Sequence, residues 1–300
     1  MRIQYASDLH LEFEQNQRYI GRDGIKPLGD VLVLAGDVSY LGDKNMMKWP
    51  FWDWCAEHYQ ETFIIPGNHE FYGGYDIGCT MDDYVLEVRP NVRYMNNRSV
   101  VIGDVELFFT TLWTRINPVR LWTIQCGMND FHLGVLNGKR FSASEVDELH
   151  QHCMDWLTGA LAVSSAKHKI VVSHHCPTMR PAFNGFPGSV LNTAFQVDLD
   201  VFIENSDIEY WIYGHTHFGG GSGTKVGGTI LLCNQLGYVF QDEQLRGYEP
   251  DAIIEVGAET DYNAFVNRQK MLGRWPFEDN DERKAAWEEW KLLSKYNVGE

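Results

Sequence analysis

Short apolar runs recur along the chain, and each of them stops at a polar segment. Their brevity and their β-branched and aromatic residues are typical of buried strands. The five runs that matter most below are Met1–Ala6, Val31–Leu34, Phe63–Ile65, Ile170–Val172 and Tyr210–Tyr213. Stretches with helical periodicity lie between such runs. This alternation predicts an α/β architecture.

Local signals predict further elements. Ser142 and Glu145 have the spacing of a capping box, which predicts a helix from about 143 to 161. A second helix is predicted at 76–89, and a third at 279–295. Further strands are predicted at 92–95, 99–103, 105–110, 229–233 and 251–256. These strands would extend two facing sheets.

Five short polar motifs directly follow the five apolar runs, in a fixed order. They are Asp8-Leu9-His10, Gly36-Asp37, Gly67-Asn68-His69-Glu70, His174-His175 and Gly214-His215-Thr216-His217. Each motif alone is common, but the ordered set is specific. Because loops at the carboxyl ends of strands assemble the sites of open α/β sheets, we expect these side chains to meet.

This set of motifs resembles that of the calcineurin-like metallophosphoesterase superfamily, over about two thirds of the chain. The resemblance implies two mixed β-sheets packed as a sandwich and flanked by helices, an α/β fold of four layers. It also implies two metal ions that share one carboxylate. One ion would be held by Asp8, His10, Asp37 and His217, and the other by Asp37, Asn68, His174 and His215. His69 would contact the substrate phosphate or the leaving group.

The chemistry of these side chains agrees with that assignment. Carboxylate, imidazole and carboxamide ligands suit borderline divalent ions, so manganese is expected, with iron, cobalt, nickel or zinc as alternatives. Two such ions can share a hydroxide and clamp the attacking and leaving oxygens of an in-line displacement. An imidazole such as that of His69 is suited to protonating the leaving oxygen.

Two positions refine the prediction. Adjacent strand residues point to opposite faces, so only one member of the His174-His175 pair should reach the ions, and the family pattern favours His174. The protein-phosphatase branch carries an acidic residue three positions after the shared aspartate, where this chain has Tyr40. This difference favours the phosphodiesterase-like branches. It also leaves the partner of His69 unassigned.

Substrate contacts are expected from two segments and one histidine. Phe71 and Tyr72 follow His69, and the long stretch from Thr111 to Arg140 lacks clear periodicity, as functional loops often do. Its tryptophans either stack on a flat substrate group or anchor the loop to the core. The substrate-contact residues predicted here are Phe71, Tyr72, Trp113, Asn129, Asp130 and His175.

Composition limits the partners. The net charge of −16 argues against a broad surface for duplex nucleic acid. Six cysteines without Cys-x-x-Cys spacing indicate reduced thiols, and no apolar run is long enough to span a membrane, so a cytoplasmic location is expected. A metallophosphoesterase domain is predicted at 1–260 and a charged, partly helical extension at 261–300, which is a candidate surface for homo-oligomer formation.

The favoured function is hydrolysis of a phosphodiester of a nucleotide-like or other small substrate. The alternatives are a small-molecule phosphomonoesterase, then a nuclease, or a scaffold that keeps the fold without catalysis. The motifs specify the type of bond that is cleaved. They contain no information on the rest of the substrate.

Overall fold

Fourteen strands lie in the part of the chain that the computed structural model describes, residues 1–180, 183, 185–219 and 222–257. In chain order they are β1 Arg2–Ala6, β2 Val31–Leu34, β3 Glu61–Ile64, β4 Tyr84–Arg89, β5 Val92–Asn96, β6 Arg98–Ile102, β7 Val105–Thr110, β8 Val135–Leu136, β9 Lys139–Arg140, β10 His168–Ser173, β11 Tyr210–Tyr213, β12 Lys225–Val226, β13 Thr229–Cys233 and β14 Ile253–Glu255. The strands predicted from the sequence are all present, with ends that differ by one or two residues.

Twelve of these strands form two mixed sheets of six. The first has the order β14-β1-β2-β3-β5-β4, and the second has the order β12-β13-β11-β10-β7-β6. In each sheet the four central strands are parallel, and the two edge strands are antiparallel to their neighbours. Strands β8 and β9 pair as a separate small hairpin.

The two sheets pack face to face, and the alternation of side chains along each strand builds the layers. Val31 and Val33 of β2 enter the core between the sheets, while Leu32 and Leu34 enter the core on the outer face. The second sheet is arranged in the same way, because Val172 faces the first sheet and Val171 faces outwards. The predicted sandwich of four layers is therefore confirmed.

Seven α-helices lie in the described residues. They are α1 Glu14–Tyr19, α2 Pro50–His58, α3 Leu121–Gly127, α4 Asp130–Leu133, α5 Val146–Val163, α6 Asn192–Phe195 and α7 Asp200–Glu204. The predicted capping box precedes α5, where Ser142 Oγ accepts from the Ser144 backbone and the Ser142 backbone donates to Glu145 at 2.8 Å. A turn of 3-10 helix at Ala143–Glu145 leads into this helix.

The helix predicted at 76–89 is wrong. Only Ile77–Thr80 is helical, as one 3-10 turn, and Tyr84–Arg89 forms the edge strand β4. Pairing with β5 overrides the helical pattern of this segment, since the strand buries Tyr84 and Val88 against the outer core. The stretch from 111 to 140 is also more ordered than predicted, because it contains α3, α4 and the small hairpin.

The C-terminal extension predicted at 261–300 lies outside the described residues. The boundary at 260 and the oligomer surface therefore stay predictions. Residues Met1–Val256 form one compact unit. No helix in the described part is long and apolar enough to cross a membrane.

Candidate metal centre

The five motifs meet at one edge of the sandwich, in the loops that follow β1, β2, β3, β10 and β11. Five of their residues have a left-handed backbone: Asp8, His10, Asp37, His215 and His217, with φ between 46° and 72°. This conformation is unfavourable for residues with a side chain, and it clusters at sites where function requires it. The loops are therefore bent to direct these side chains towards one another.

One cluster of donor atoms lies between the first and the last motif. Nε2 of His217 lies 3.3 Å from Oδ1 of Asp8 and 3.1 Å from Nε2 of His10. Nε2 of His10 is in turn 3.9 Å from Oδ2 of Asp37. These are the four side chains predicted to hold one ion.

A second cluster lies on the other side of Asp37. Nε2 of His174 lies 3.0 Å from Oδ1 of Asn68, 3.1 Å from Nδ1 of His215 and 3.4 Å from Oδ1 of Asp37. These are the four side chains predicted to hold the other ion. The two carboxylate oxygens of Asp37 thus face different clusters, as a bridging ligand requires.

The donor atoms fit a pair of divalent cations. Two metal bonds of about 2.1 Å place neighbouring ligand atoms roughly 3 Å apart, which matches the facing ring nitrogens. Asp8, His10, Asp37 and His174 are at most 1% exposed, and buried charges of this kind are normally paired or bound to metal. Each cluster combines imidazole nitrogens with oxygen donors, a set that suits borderline ions.

The electrostatics of the two clusters favour positive charge. Burial alone lowers the pKa of a histidine, yet Asp37 and Asp8 raise the pKa of His174 to about 9. Burial likewise opposes the charged form of His217, but hydrogen bonds to Asp8 and Glu243 raise its pKa to about 10. The carboxylates therefore outweigh burial at one histidine of each cluster, whereas burial and neighbouring histidines lower the pKa of His10 and of His215.

Glu70 holds the loop that carries Asp37. Its carboxylate accepts hydrogen bonds from the backbone N–H groups of Asp37, Val38, Ser39 and Gly67, at 2.7–3.2 Å. Burial and the nearby charge of Asp37 raise the pKa of Glu70 to about 8. The sequence motif contains this glutamate, but the sequence alone gave it no role.

Two further carboxylates orient histidines that are predicted ligands, and sequence reasoning missed both carboxylates. Oε1 of Glu12 accepts from Nδ1 of His10 at 3.0 Å, and Oε2 of Glu243 accepts from Nδ1 of His217 at 2.6 Å. Such partners fix which ring nitrogen faces the metal. Glu12 follows His10 by two residues and so had a signal in the sequence. Glu243 belongs to no motif.

Glu12 also provides the partner that was unassigned for His69. The same oxygen accepts from Nδ1 of His69 at 3.0 Å, and Nε2 of His69 lies 3.2 Å from the hydroxyl of Tyr238. Burial opposes protonation of His69, but Asp37 and Glu12 raise its pKa above the ordinary value. The ring of Tyr40, at the position where related phosphatases carry an acid, lies 6.3 Å from the ring of His69.

Tyr72 and Asp130 orient the carboxamide of Asn68. Nδ2 of Asn68 donates to the Tyr72 hydroxyl at 2.9 Å, and this hydroxyl donates to Oδ1 of Asp130 at 3.0 Å. The amide nitrogen is therefore occupied, and the amide oxygen faces His174. The structure links both residues to a predicted ligand, and their contact with substrate stays a prediction.

Three other predicted substrate contacts are buried in the core. Phe71, Trp113 and His175 are 1%, 3% and 2% exposed, so none of them presents a surface that a substrate can reach. Trp113 packs between Phe71 and Phe141. Of the two roles considered for the tryptophans, this packing agrees with anchoring the loop to the core.

His175 is held from behind the second cluster, whereas Asn129 and the other tryptophan of the long stretch, Trp122, lie on the surface. Nδ1 of His175 contacts the carbonyl oxygen of Thr111 at 3.1 Å, and burial together with the charge of His174 lowers the pKa of His175 to about 3. Asn129 is exposed beside α4. Trp122 is 76% exposed on α3.

Comparisons with known proteins agree with this geometry. The sequence model of the calcineurin-like phosphoesterase family matches residues 1–219. An uncharacterised protein of Acanthamoeba polyphaga mimivirus is 29% identical over an alignment of 280 residues, which covers 85% of this chain and 96% of that protein. The structure of phosphopantetheinyl hydrolase from Mycobacterium tuberculosis superimposes with a TM-score of 0.63 at 15% identity, covering 87% of this chain and 97% of its own. At that identity the likeness is one of fold.

Proposed function

This chain belongs to the calcineurin-like phosphoesterase family, and on that premise we propose that it hydrolyses a small organic phosphodiester with the aid of two divalent ions. The family typically binds two such ions. The observation that carries the proposal is the pair of donor clusters on either side of Asp37. The ligands of one ion are Asp8, His10, Asp37 and His217, and those of the other are Asp37, Asn68, His174 and His215. Manganese is the expected metal, because it accepts both oxygen and imidazole donors.

Bound divalent ions supply Lewis acidity and lower the pKa of water to about 7, so that a nucleophile is available at neutral pH. The chain provides the geometry for that chemistry. Glu70 fixes the Asp37 loop, while Glu12 and Glu243 fix the rings of His10 and His217. These buried partners reduce the reorganisation that binding and reaction would otherwise require.

His69 is the proposed proton donor to the leaving oxygen. Its Nδ1–H is held by Glu12, so Nε2, which lies 3.2 Å from the Tyr238 hydroxyl, is the nitrogen that would donate to the leaving oxygen. Its side chain is 11% exposed, so it lies at the boundary between the donor clusters and solvent. A residue at this position can reach an ester oxygen without being a metal ligand.

The surroundings of His69 favour a diester over a monoester. In the described residues no lysine or arginine side chain forms a hydrogen bond to any of the seven proposed ligands or to His69. The aromatic rings of Tyr40, Tyr72 and Tyr238 lie around His69 instead. A monoester dianion gains much from a cationic clamp such as arginine, whereas a diester monoanion depends on it less. Tyr40, where the protein-phosphatase branch carries an acidic residue, argues only against a protein phosphatase and not against a small-molecule monoesterase.

The proposal is tested by hydrolysis of bis-p-nitrophenyl phosphate and p-nitrophenyl phosphate. The chain is stripped of metal and then given manganese, cobalt, nickel, zinc or magnesium in turn. Faster cleavage of the diester, with loss of activity in Asp37→Asn, is the expected result. Faster cleavage of the monoester would instead favour the alternative that the chain is a small-molecule phosphomonoesterase. A folded chain that binds two ions and cleaves neither compound would contradict the proposal.

A further inference from the structure

The two side chains at the opening of the donor clusters are His69 and His217. Their side chains are 11% and 13% exposed, whereas those of Asp8, His10 and His174 are fully buried. The ring of Tyr238 lies beside both of them, with its centroid 4.8 Å from that of His217 and 6.2 Å from that of His69. Tyr238 therefore lies at the opening of the donor clusters, beside both partly exposed histidines.

Tyr238 is the inner member of a group of three aromatic rings. Its ring stacks on that of Phe240 at 5.4 Å and 29°, and it meets Phe13 edge to face at 5.7 Å. Phe13 and Phe240 are themselves 5.4 Å apart. Phe240 is 50% exposed, and Phe13 and Tyr238 are partly buried. We call these three residues the aromatic shelf.

The aromatic shelf is rigidly joined to the metal centre. Oε2 of Glu243 accepts from Nδ1 of His217 and, at 2.8 Å, from the backbone N–H of Tyr238. The fully buried Asn16 accepts from the N–H of Val239 at 3.2 Å and donates to the carbonyl oxygen of Gly237 at 2.8 Å. Since its loop is fixed before any ligand binds, the shelf would lose little conformational entropy on binding.

Gly237 permits this close approach. Its φ is +68°, and a Cβ atom at this position would lie 2.6 Å from Oε2 of Glu243 and 3.3 Å from Nδ1 of His217. Any side chain here would separate the shelf loop from the ligand histidine. Glycine, which has no Cβ atom, is therefore the residue at position 237 that allows Tyr238 to pack against the metal centre.

The position of the Tyr238 hydroxyl shows where the shelf lies relative to His69, the proposed proton donor. It lies 3.2 Å from Nε2 of His69, the nitrogen proposed to face the leaving oxygen. An ester oxygen bound near this nitrogen would have its organic group directed along the rings of Tyr238 and Phe240. Aromatic faces bind flat or apolar groups well. They carry no positive charge that could bind a polyphosphate.

We propose that the aromatic shelf of Phe13, Tyr238 and Phe240 binds a planar aromatic substituent of the substrate ester. The inference rests on the proposed function, because it assumes that the phosphoryl group lies at the two donor clusters. It adds the class of substrate, a phosphoester with an aryl, nucleobase or similar ring beside the reacting phosphorus. It also makes Phe240 a residue that determines specificity.

The test measures binding of the methyl monoesters of phenylphosphonate and ethylphosphonate, which are monoanionic like a diester, to the manganese-loaded full chain by calorimetry, so turnover is not needed. The wild-type chain is expected to bind the phenyl compound roughly three- to tenfold more tightly, as one aromatic pair contributes. In Phe240→Ala this preference should fall below twofold, and in Phe240→Leu it should be intermediate. Trp122→Ala removes an aromatic side chain that is 76% exposed and lies on α3, and it should keep the wild-type preference.

Two results would contradict the account in different ways. An unchanged phenyl preference in Phe240→Ala, with both phosphonates still bound, would overturn the shelf and leave the metal centre intact. Failure of the wild-type chain to bind either phosphonate would contradict the proposed phosphoester site itself. Thermal melting of each variant serves as the folding control, and little change is expected because Phe240 is half exposed.

Discussion

Replacing Glu12 by glutamine tests the role of the carboxylate between His10 and His69. Oε1 accepts from both rings at 3.0 Å, while Oε2 is buried without a hydrogen-bond partner among the described residues. Glutamine has the same shape, but it removes the charge and places a buried NH₂ group where Oε2 lies. The Nδ1–H of His69 would then donate to a neutral oxygen.

The magnitude follows from the hydrogen bond that is weakened. The side chains of Glu12 and His69 are 8% and 11% exposed, so solvent screens their interaction little. A hydrogen bond to a charged group contributes about 1.5–3 kcal/mol and one to a neutral group about 0.5–1.5 kcal/mol, so the change costs about 1–1.5 kcal/mol, or roughly 5- to 13-fold in rate. The bond to His10 adds a second effect, a loss of metal affinity of about 10- to 100-fold.

The assay separates these two effects. Turnover is measured at saturating manganese with two diesters, one that releases p-nitrophenol and one that releases the less acidic phenol. If His69 protonates the leaving oxygen, Glu12→Gln should impair the phenyl ester more than the p-nitrophenyl ester. Calorimetry measures the metal affinity independently. Glu14→Gln is the matched control, since Glu14 is exposed and pairs only with Arg18 among the described residues.

Two results would refute this reasoning. One is turnover of the phenyl ester within threefold of the wild type at saturating metal. The other is additivity, in which Glu12→Gln still lowers the rate after His69 has been replaced by asparagine. Residues that act as one unit give non-additive losses, so the double variant should be no slower than His69→Asn alone.

Three further predictions concern the ligands and the fold. Tyr72→Phe frees the amide of Asn68 and should lower metal affinity about tenfold, as measured by titration against a competing chelator. Gly237→Ala should lower the free energy of unfolding in urea by about 1–3 kcal/mol because of its positive φ, whereas Gly228→Ala, where the added Cβ meets nothing within 4 Å, should change it by less than about 0.5 kcal/mol. Manganese at 100 times its dissociation constant should stabilise the chain by about 2.7 kcal/mol for each of the two ions, each on the order of 5 °C in thermal melting, and Asp37→Asn should lose most of this shift.

The sequence was most informative where residues that can bind metal follow the end of a predicted strand. Each of the five motifs follows a short apolar run, and the structure brings their side chains together at one edge of the sandwich. Alternation of strand residues predicts that only one member of the His174-His175 pair faces the ions, and the family pattern selects His174. Nε2 of His174 faces the cluster, while His175 contacts Thr111 behind it.

The sequence was least informative where tertiary contacts decide the structure. The segment Tyr84–Arg89 forms a strand because β5 is available to pair with it, a partner that periodicity does not indicate. The burial of Phe71 and Trp113 depends on the packing of α4, α5 and the hairpin around them. An aromatic residue near a motif is therefore weak evidence for a substrate contact.

Glu243 also shows that contacts made only in the folded chain cannot be predicted from the sequence. Glu243 reaches His217 from 26 positions along the chain, and no residue pattern connects the two. Tyr238 and Phe240 likewise belong to no sequence motif. Their role depends on a loop that Asn16 and Glu243 hold against the centre, and this is a property of the folded chain.

The central claim is that Asp37 and its neighbours hold two divalent ions, and metal content tests it most directly. The purified chain is saturated with manganese, freed of excess ion and analysed by inductively coupled plasma mass spectrometry, together with His174→Gln and His175→Gln. The account predicts two ions per chain in the wild type and in His175→Gln, and about one in His174→Gln. One ion or none in the wild type, or equal loss in the two histidine variants, would contradict it.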